Sequence, residues 1–439
     1  MTWYLTLSCG ITLIMILLAL GVPIFAAFLI INVTGVLFLL GPSGFGMFAN
    51  SIFTTATNES LAAIPLFILM GELLFRSGAM EVLLDSLDRL VGKIRGRQYV
   101  VCIVLSAILG ALSGAAMAVA GLLGRSLFPT MLKRGYDKNL SAGTILAGAS
   151  LDPVIPPSVL AIVIATLAQV STGKMLIAGV IPGLFLAGMF LIYVLVRVHL
   201  NPKLAPDVAA ELQDPATRGS TLMALLKMMP SGFIFFMVMG LVMLGVATPT
   251  EAAAAGVLGS LILSWCYGAL SRRMLVESIF SGVTVASLLL VVMSCAAMLS
   301  QLLAFTGATS ALGEFVVGLK LSAPVMLFIM LGIPFVLFMF FDQIALLMVL
   351  IPIFQPLLKI YGFDPIWFWT LLLIVATVGG ISPPFGYTLF AFKSAAPNVS
   401  MPEIFRAAWP YVWIIVGGLV VMAIFPSIIT FLPGLMGEK

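Results

Sequence analysis

Long apolar segments recur along the whole chain, and they constrain its fold more than any other feature. Residues 11–20, 233–244 and 411–424 lie within such segments, each close to the roughly 20 residues that a helix needs to cross a bilayer. Only 9% of the 439 residues are charged, whereas soluble domains carry about 25%. The apolar residues form continuous runs rather than the alternating pattern of barrel strands. The sequence therefore predicts an all-α polytopic membrane protein.

The basic residues predict the orientation of the chain. When successive spans are placed on alternating sides, sixteen of the 21 lysines and arginines fall on one side. Four fall on the other, and Arg125 lies inside a hairpin. Because cytoplasmic loops are enriched in Lys and Arg, we expect about eleven spans with both termini on the non-cytoplasmic side. The net charge of +4 follows from this loop bias and predicts no nucleic-acid partner.

This span count requires two apolar segments that enter and leave on the same side. The first covers about residues 99–132 and has basic residues at both ends, and the second covers about 322–358, between Lys320 and Lys359. Each is long enough for two half-helices, so both are predicted to be re-entrant helical hairpins. A weaker amphipathic stretch precedes each hairpin and is predicted to lie in the interface plane.

Matched motifs divide the chain into two related halves. Pro383 lies 227 positions after Pro156, and the same offset relates "PTMLKRGYD" at 129–137 to "PLLKIYGFD" at 356–364 without a gap. The sequence thus predicts a first repeat at 1–200, a cytoplasmic connector at 201–229 and a second repeat at 230–439. With five full spans and one hairpin in each half, the second half must be inserted upside down, as an inverted-topology repeat.

A Pro-Pro pair interrupts one spanning segment in each half, at "DPVIPPS" (152–158) and "SPPFG" (382–386). A proline removes a helix hydrogen bond and frees a carbonyl oxygen, which in lipid would cost several kcal/mol. We therefore expect broken helices at about 139–170 and 364–392, with each break facing protein, water or an ion. Unwound carbonyls can coordinate Na⁺ and the following helix N-termini attract anions, so the pattern predicts a transporter.

In these motifs the chain resembles the large membrane subunit of the tripartite ATP-independent periplasmic (TRAP) transporters. The joint order of the motifs, from one end of the chain to the other, carries the resemblance. They are "IPLFILMGELLFRSG" at 64–78, "GYD" at 135–137, "IPPS" at 155–158, "AGVIPGL" at 178–184, "TPTEAAAAG" at 248–256, "GFDPIWF" at 362–368 and "SPPFG" at 382–386.

The resemblance implies a sodium-driven importer of organic acids in the bacterial inner membrane that works by an elevator mechanism. It also implies two partners, a small four-helix membrane subunit and a soluble periplasmic substrate-binding protein, and no organic cofactor.

Carried onto this sequence, the resemblance implies one sodium site at each hairpin tip and a substrate site between the tips. The candidate sodium ligands are Ser113, Gly114, Asp152 and Pro153 at the first tip, and Asp342, Thr377, Gly380 and Ser382 at the second. The candidate substrate-binding residues are Ala115, Ala116, Arg125, Ser158, Gln343, Phe385 and Gly386. The first tip, "SGAAMA", has fewer hydroxyls than is common in the family, so backbone carbonyls would supply ligands there.

Several of these residues have a second interpretation. Asp152 and Asp342 are costly at membrane depth and are either sodium ligands or helix N-caps, and both roles can hold together. Arg125 either snorkels towards the interface or pairs with an anionic substrate.

Other functions are less compatible with the sequence. A stand-alone ion-coupled symporter or antiporter is the main alternative, and it would need no binding protein. An enzyme would need a nucleophile and base or a metal cluster, but the single histidine, His199, lies in a polar loop and the four cysteines lie in apolar segments. A passive channel would need a ring of charge or a filter motif, and the sequence contains neither pattern. Dicarboxylates, sugar acids, keto acids and small sulfonates all remain candidate substrates.

Overall fold

Helices and turns make up the part of the chain that the computed structural model describes, residues 3–92, 94–113, 116–207 and 221–436. No strand occurs within these ranges. The first half contains α1 (Trp3–Ala19), α2 (Ile24–Leu39), α3 (Gly46–Ala56), α4 (Ala63–Arg76), α5 (Ala79–Leu90), α6 (Arg97–Ser113), α7 (Ala116–Lys133), α8 (Lys138–Ser150), α9 (Val159–Leu167), α10 (Thr172–Ala178) and α11 (Val180–Leu200). The second half contains α12 (Thr221–Met243), α13 (Pro249–Cys266), α14 (Arg272–Phe305), α15 (Ala308–Gly318), α16 (Ala323–Phe338), α17 (Gln343–Tyr361), α18 (Pro365–Ile381), α19 (Tyr387–Ala395), α20 (Met401–Ile424) and α21 (Ser427–Leu435).

The order of helices from α5 to α9 recurs as α15 to α19 in the second half. Equivalent turns carry equivalent residues: Gly78 and Gly307, which precede α5 and α15, both adopt positive φ. Asp137 caps α8 by accepting a hydrogen bond from the Leu140 N–H at 2.8 Å, and Asp364 caps α18 by accepting one from Trp367 at 2.8 Å. The inverted insertion of the second half remains a prediction.

The two broken helices form the centre of the molecule. Every residue from 140 to 150 of α8 and from 367 to 381 of α18 is buried, so their apolar residues contact protein on all sides. Large apolar side chains such as Phe38, Phe280 and Phe328 are exposed on other helices, as expected for surfaces that face lipid. The breaks in α8–α9 and α18–α19 therefore lie in protein surroundings, where freed backbone groups can find partners.

The halves interlock by exchanging helices around this centre. Helix α7 of the first half packs against α19 of the second, and α17 of the second packs against α9 of the first. In the same way α8 packs against α20, and α18 packs against α10. This exchange brings one helix of each hairpin, α7 or α17, next to the broken helix of the other half.

The predicted hairpins correspond to α6 with α7 and to α16 with α17, and each pair of helices is in contact. Whether they are re-entrant remains a prediction. By length alone α17, with 19 residues, could also cross a bilayer.

The count of eleven spans is not confirmed. Among the described residues, five helices are long and apolar enough to cross a bilayer, and a sixth span results if α3 and α4, which bend by 56°, count as one. The five are Thr172–Leu200, Leu222–Met243, Arg272–Phe305, Gln343–Tyr361 and Met401–Ile424. Several further apolar helices, among them α2, α16 and α18, have only 10–17 residues. Breaks and bends thus shorten helices that the hydropathy pattern predicts to be spans.

The start of the connector between the halves is fixed to the base of the first hairpin. The Tyr99 hydroxyl donates to the Leu204 carbonyl at 2.7 Å, and the Asp137 N–H donates to the same carbonyl at 3.1 Å. Helix α12 already begins at Thr221, inside the range predicted for the connector. Its first turns, "TLMALLKMM", are rich in good helix formers, and Pro230 lies inside the helix.

Candidate functional site

The first break joins α8 to α9 through residues 151–158, and its Pro156–Pro157 peptide bond is cis. Asp152 is only 2% exposed. Ser158, also buried, is the N-cap of α9 and accepts a hydrogen bond from the Ala161 N–H at 3.1 Å. Prolines have no N–H, so Pro156 and Pro157 cannot donate to the Asp152 and Pro153 carbonyls as helical residues would. The break thus concentrates a carboxylate, a hydroxyl and freed carbonyl oxygens.

Glycines hold neighbouring helices against this break. A Cβ atom on Gly110, in the first hairpin, would lie 2.8 Å from the Asp152 Cα and 3.2 Å from its Oδ1. At Gly179, between α10 and α11, a Cβ would overlap the Val154 carbonyl oxygen. Both helices can approach the break this closely only because these positions lack a side chain.

The second break joins α18 to α19 through residues 382–386, and its Pro383–Pro384 bond is also cis. The Ser382 hydroxyl donates to the Val378 carbonyl at 2.7 Å, and the Thr377 hydroxyl donates to the Leu373 carbonyl at 3.0 Å. A hydroxyl that donates its hydrogen to a carbonyl still has lone pairs for another partner. Both buried hydroxyls are therefore suited to contribute oxygen ligands.

Two of the predicted glycines make close backbone contacts within this second break. A Cβ on Gly386 would lie 2.7 Å from the Gly380 carbonyl oxygen, and a Cβ on Gly380 would lie 2.8 Å from Cε1 of Tyr387. The Gly380 carbonyl is one of those freed by proline, because Pro384 follows it by four residues.

The tip of the second hairpin lies on this break. Asp342 is the N-cap of α17, and its Oδ1 accepts from the Ile344 and Ala345 N–H groups at 2.9 and 3.1 Å. The Gln343 side chain donates to the Ala376 carbonyl of α18. It also accepts a hydrogen bond from the Tyr387 hydroxyl at 3.0 Å. The hairpin tip is thus bonded to both sides of the break.

In each half the hairpin makes a close contact with the broken helix, and a glycine makes this contact possible. The glycine belongs to the hairpin in the first half and to the broken helix in the second. In the first half Gly110 of the hairpin meets Asp152 of the break. In the second half Phe338 of the hairpin meets Gly379, where a Cβ would lie 2.6 Å from the Phe338 carbonyl oxygen. Both halves therefore have this close contact, although the glycine lies on a different element in each.

The remaining candidates divide into those near the tips and those away from them. Ala116 and Pro153 are buried next to the first site, and Phe385 is exposed with its ring 6.1 Å from that of Phe340 at the second tip. Gly114 and Ala115 lie outside the described residues, and for Ser113 only the position at the end of α6 is described. Arg125 is exposed on α7, nine residues beyond the start of that helix, about 13 Å along its axis.

Several site residues were not predicted from the sequence, among them Gly110, Phe338 and Tyr387. Comparison of the repeats contains one usable signal, because the offset of 227 that relates the Pro-Pro pairs places Leu160 of α9 opposite Tyr387 of α19. A polar side chain that appears in only one repeat at the same helix position is a candidate for a special role. Gly110 and Phe338 give no comparable local signal.

The site offers isolated oxygens rather than a cluster of metal ligands. In the part of the chain that the structure describes, no three His, Cys, Asp or Glu side chains come together. Carboxylate, hydroxyl and carbonyl oxygens suit hard cations. A groove of about 1100 Å³ between α16 and α20 lies elsewhere and is lined by apolar and aromatic residues such as Phe328, Leu331 and Val420, so it is suited to hydrocarbon.

Comparison with solved structures supports a membrane-transporter fold. The chain superposes on the Alcanivorax borkumensis YdaH transporter with a TM-score of 0.62 at 16% sequence identity, covering 89% of this chain and 90% of that one. At this identity the likeness concerns the fold alone.

Comparison with protein families and curated relatives identifies the family. Residues 11–428 match the family model "Tripartite ATP-independent periplasmic transporter, DctM component". The C4-dicarboxylate TRAP transporter large permease protein DctM of Pseudomonas aeruginosa is 28% identical over 402 residues, 91% of this chain and 92% of that protein. The ectoine permease TeaC of Halomonas elongata is 26% identical, covering 95% and 96%. The 2,3-diketo-L-gulonate permease YiaN of Escherichia coli is 26% identical, covering 94% and 95%. The chain is therefore a transporter permease subunit rather than an enzyme, and it belongs to the DctM family of TRAP transporter large permeases.

Proposed function

We propose that this chain is the permease of a sodium-coupled importer of small organic anions. The observation that carries the proposal is that a hairpin meets a buried, proline-broken helix in each half, at Gly110–Asp152 and at Phe338–Gly379. Two repeat-related places of this kind, with freed backbone groups away from lipid, match the binding-site architecture of secondary transporters.

The oxygen atoms at these places favour a cation. The first break has the buried Asp152 carboxylate, and the second has the hydroxyls of Thr377 and Ser382 and the carboxylate of Asp342 at the facing tip. Sodium binds to such mixed sets of carboxylate, hydroxyl and carbonyl oxygens, with unwound helix carbonyls as typical ligands. Cation binding at each tip would also screen the carboxylates from an incoming anion.

The helix termini favour an anion beside these cations. Helices α17 and α19 begin at Gln343 and Tyr387, whose side chains are hydrogen-bonded to each other. The N-terminus of a helix carries partial positive charge and unsatisfied N–H groups, which attract carboxylates. The relatives are named for C4-dicarboxylate, ectoine and 2,3-diketo-L-gulonate, all of which have a carboxylate, so we propose a small carboxylate as the substrate of this chain.

The same proposal includes the partners, the location and the mode of movement. In a tripartite system the chain would act in the bacterial inner membrane with a small four-helix membrane subunit and a periplasmic binding protein. The hairpins and broken helices would slide as one block against the other helices, in an elevator mechanism. Helices α5 and α15 would connect this block to the other helices. Gly78 and Gly307, which precede them and have positive φ, are suitable pivots.

Uptake into proteoliposomes tests this function. The chain and its small subunit are reconstituted, and uptake of ¹⁴C-succinate, as a probe C4-dicarboxylate, is measured under an inward gradient of sodium or choline chloride, with and without the binding protein. Ectoine and a sugar acid are tested in parallel. We expect accumulation of one of these carboxylates only with sodium and binding protein. Sodium-driven uptake without the binding protein would instead support a stand-alone symporter, and uptake that is equal in choline would contradict sodium coupling.

A further inference from the structure

The second hairpin tip is tied to its break by one glutamine side chain. Gln343 is the first residue of α17, and its amide contacts Ala376, before the break, and Tyr387, the first residue after it. These two contacts bridge elements that are 33 and 44 residues away in the chain. The Tyr387–Gln343–Ala376 group is called the tip bridge below.

Chemistry fixes the direction of both hydrogen bonds in the tip bridge. The Ala376 carbonyl can only accept, so the amide nitrogen of Gln343 must face it. The amide oxygen then faces Tyr387, whose hydroxyl must donate. The Gln343 amide can therefore form both hydrogen bonds in only one orientation. Removal of the Tyr387 hydroxyl leaves the Gln343 oxygen without this donor.

The ring of Tyr387 lies against the part of α18 that leads into the break. A Cβ on Gly380 would lie 2.8–2.9 Å from Cε1, Cζ and Oη of this ring, so only glycine leaves room for it. The ring thus covers the residue whose carbonyl Pro384 frees, and its hydroxyl extends to the hairpin tip. Tyr387 contacts both walls of the second site.

The positions of the first half that correspond to this bridge carry apolar side chains. With the offset of 227 that relates the Pro-Pro pairs, Ala116 stands in the place of Gln343 and Leu160 in the place of Tyr387. Neither side chain can form a hydrogen bond, so these two positions cannot form the same bridge in the first half. The two tips should consequently differ in how firmly they close.

We propose that Tyr387 is a positioning residue that closes the second hairpin tip by holding the Gln343 amide against Ala376. This inference rests on the proposed function in taking the tip as one wall of a cation and anion site. Without the hydroxyl, the tip opens more often and the start of α17, with Asp342, stays against α18 for less of the time. Tyr387 thus sets the apparent affinity of the second site, through Gln343.

Thiol labelling at the tip tests the bridge without sodium or substrate. Ala345, which is buried in the first turn of α17 and should react only when the tip opens, is changed to cysteine in the full chain with its small subunit, after the four native cysteines are replaced by serine. The labelling rate is then compared with and without Tyr387→Phe and Gln343→Ala. We expect Tyr387→Phe to raise the rate about five- to tenfold, as for loss of one hydrogen bond. Gln343→Ala, which loses both hydrogen bonds, should raise it at least as much, and the double variant should label no faster than the faster single one. Unchanged rates, or effects that multiply in the double variant, would overturn the proposal.

Two further variants separate the bridge from general destabilisation. Tyr411→Phe removes another tyrosine hydroxyl, which is hydrogen-bonded to the Thr144 hydroxyl at 2.7 Å. This hydroxyl lies away from the tips, so the variant should leave the labelling rate unchanged. Gln343→Glu keeps an acceptor for Tyr387 but turns an oxygen towards the Ala376 carbonyl, and should raise the rate as Tyr387→Phe does. If Tyr411→Phe raised the rate equally, a specific role for Tyr387 would be excluded.

Uptake kinetics add a readout that a merely structural role would not change. Tyr387→Phe should raise the sodium concentration for half-maximal uptake about five- to tenfold while the maximal rate changes much less. A fall in maximal rate alone would contradict positioning. Labelling needs neither sodium nor substrate, so the two proposals can fail separately. Labelling can contradict the tip bridge while uptake still depends on sodium, and uptake can contradict sodium coupling while labelling still supports the tip bridge.

Discussion

At the residue scale, the approach of each hairpin to its break depends on the absence of one Cβ atom. Gly110→Ala would place a methyl group 2.8 Å from the Asp152 Cα, which is backbone and cannot move aside as a flexible side chain would. Overpacking of this kind costs about 1–3 kcal/mol. We therefore expect Gly110→Ala to lower uptake at least tenfold and to lower the unfolding temperature.

Gly121 provides the matched control for this substitution. It lies in α7 of the same hairpin, and a Cβ there would meet nothing within 4 Å. Gly121→Ala should be neutral or slightly stabilising, because alanine favours a helix more than glycine does. Equal loss of uptake in the two variants would show that the Gly110–Asp152 contact has no special role.

The carboxylate of Asp342 has a cap function that can be separated from a charge function. Asparagine caps a helix about as well as aspartate, so Asp342→Asn should keep α17 intact and leave the unfolding temperature in choline chloride nearly unchanged. If the charge binds a cation, the same variant should lose most of the extra stability that sodium gives. Asp364→Asn is the control, because Asp364 caps α18 at the end away from the break. Retention of the full sodium effect in Asp342→Asn would exclude Asp342 as a ligand.

The sequence predicts the residues of the site only where the two repeats resemble each other locally. The offset of 227 locates both Pro-Pro pairs and the equivalent caps Asp137 and Asp364. Gly110 could not be found in this way, and Tyr387 is marked only by its difference from the first repeat, since each acquires its role from a contact with a residue about 40 positions away. Such close approaches leave no periodic pattern in the chain. Arg125, a candidate from its charge and position, is exposed on α7, and its role remains a prediction.

At the element scale, the amphipathic helix α5 is anchored to the base of the first hairpin by a buried carboxylate. Asp88 is 8% exposed and accepts from Arg97 at 2.8 Å, with Arg134 at 3.5 Å and the Gln98 side chain also in contact. Removal of one partner from a buried ion pair typically costs about 3–5 kcal/mol. We expect Asp88→Ala to lower the free energy of unfolding by that amount, measured by thermal or denaturant unfolding in detergent.

Asp85, on the exposed face of the same helix, is the control for Asp88. Asp85→Ala removes the same charge without a buried partner, and its effect should stay within about 0.5 kcal/mol, as for most surface substitutions. A similar loss in both variants would mean that α5 is weakened by charge alone and not held by the cluster.

Hydropathy and proline positions predict helices better than they predict spans. Helices α8 with α9 and α18 with α19 flank the two Pro-Pro pairs, but the number of spans depends on tilt and bending, which side-chain hydropathy does not encode. Helices α3 and α4 illustrate this, because they form one apolar segment bent by 56°. The amphipathic pattern of α5 predicts an interfacial helix, and it gives no sign of the buried Asp88 cluster at its end.

At the scale of the whole molecule, two similar halves enclose one centre by exchanging helices. Helix α7 contacts α19 and α17 contacts α9, so each hairpin borders the broken helix of the other half as well as its own. A cation that holds one tip closed can therefore influence the other half through these shared surfaces. Under the proposed function, sodium and an anion would bind at neighbouring places in this centre, which is a physical requirement for coupled transport.

The central claim is that cations bind where the hairpins meet the broken helices, and sodium-dependent stability tests it most directly. The chain is purified with its small subunit, and its thermal unfolding is measured in sodium chloride and in choline chloride at equal ionic strength. A site at about 100 times its dissociation constant adds roughly 2.7 kcal/mol to the folded state. We predict a sodium-specific rise in the unfolding temperature that is smaller in Asp152→Asn and in Asp342→Asn. Identical unfolding in the two salts over a range of concentrations would contradict the claim.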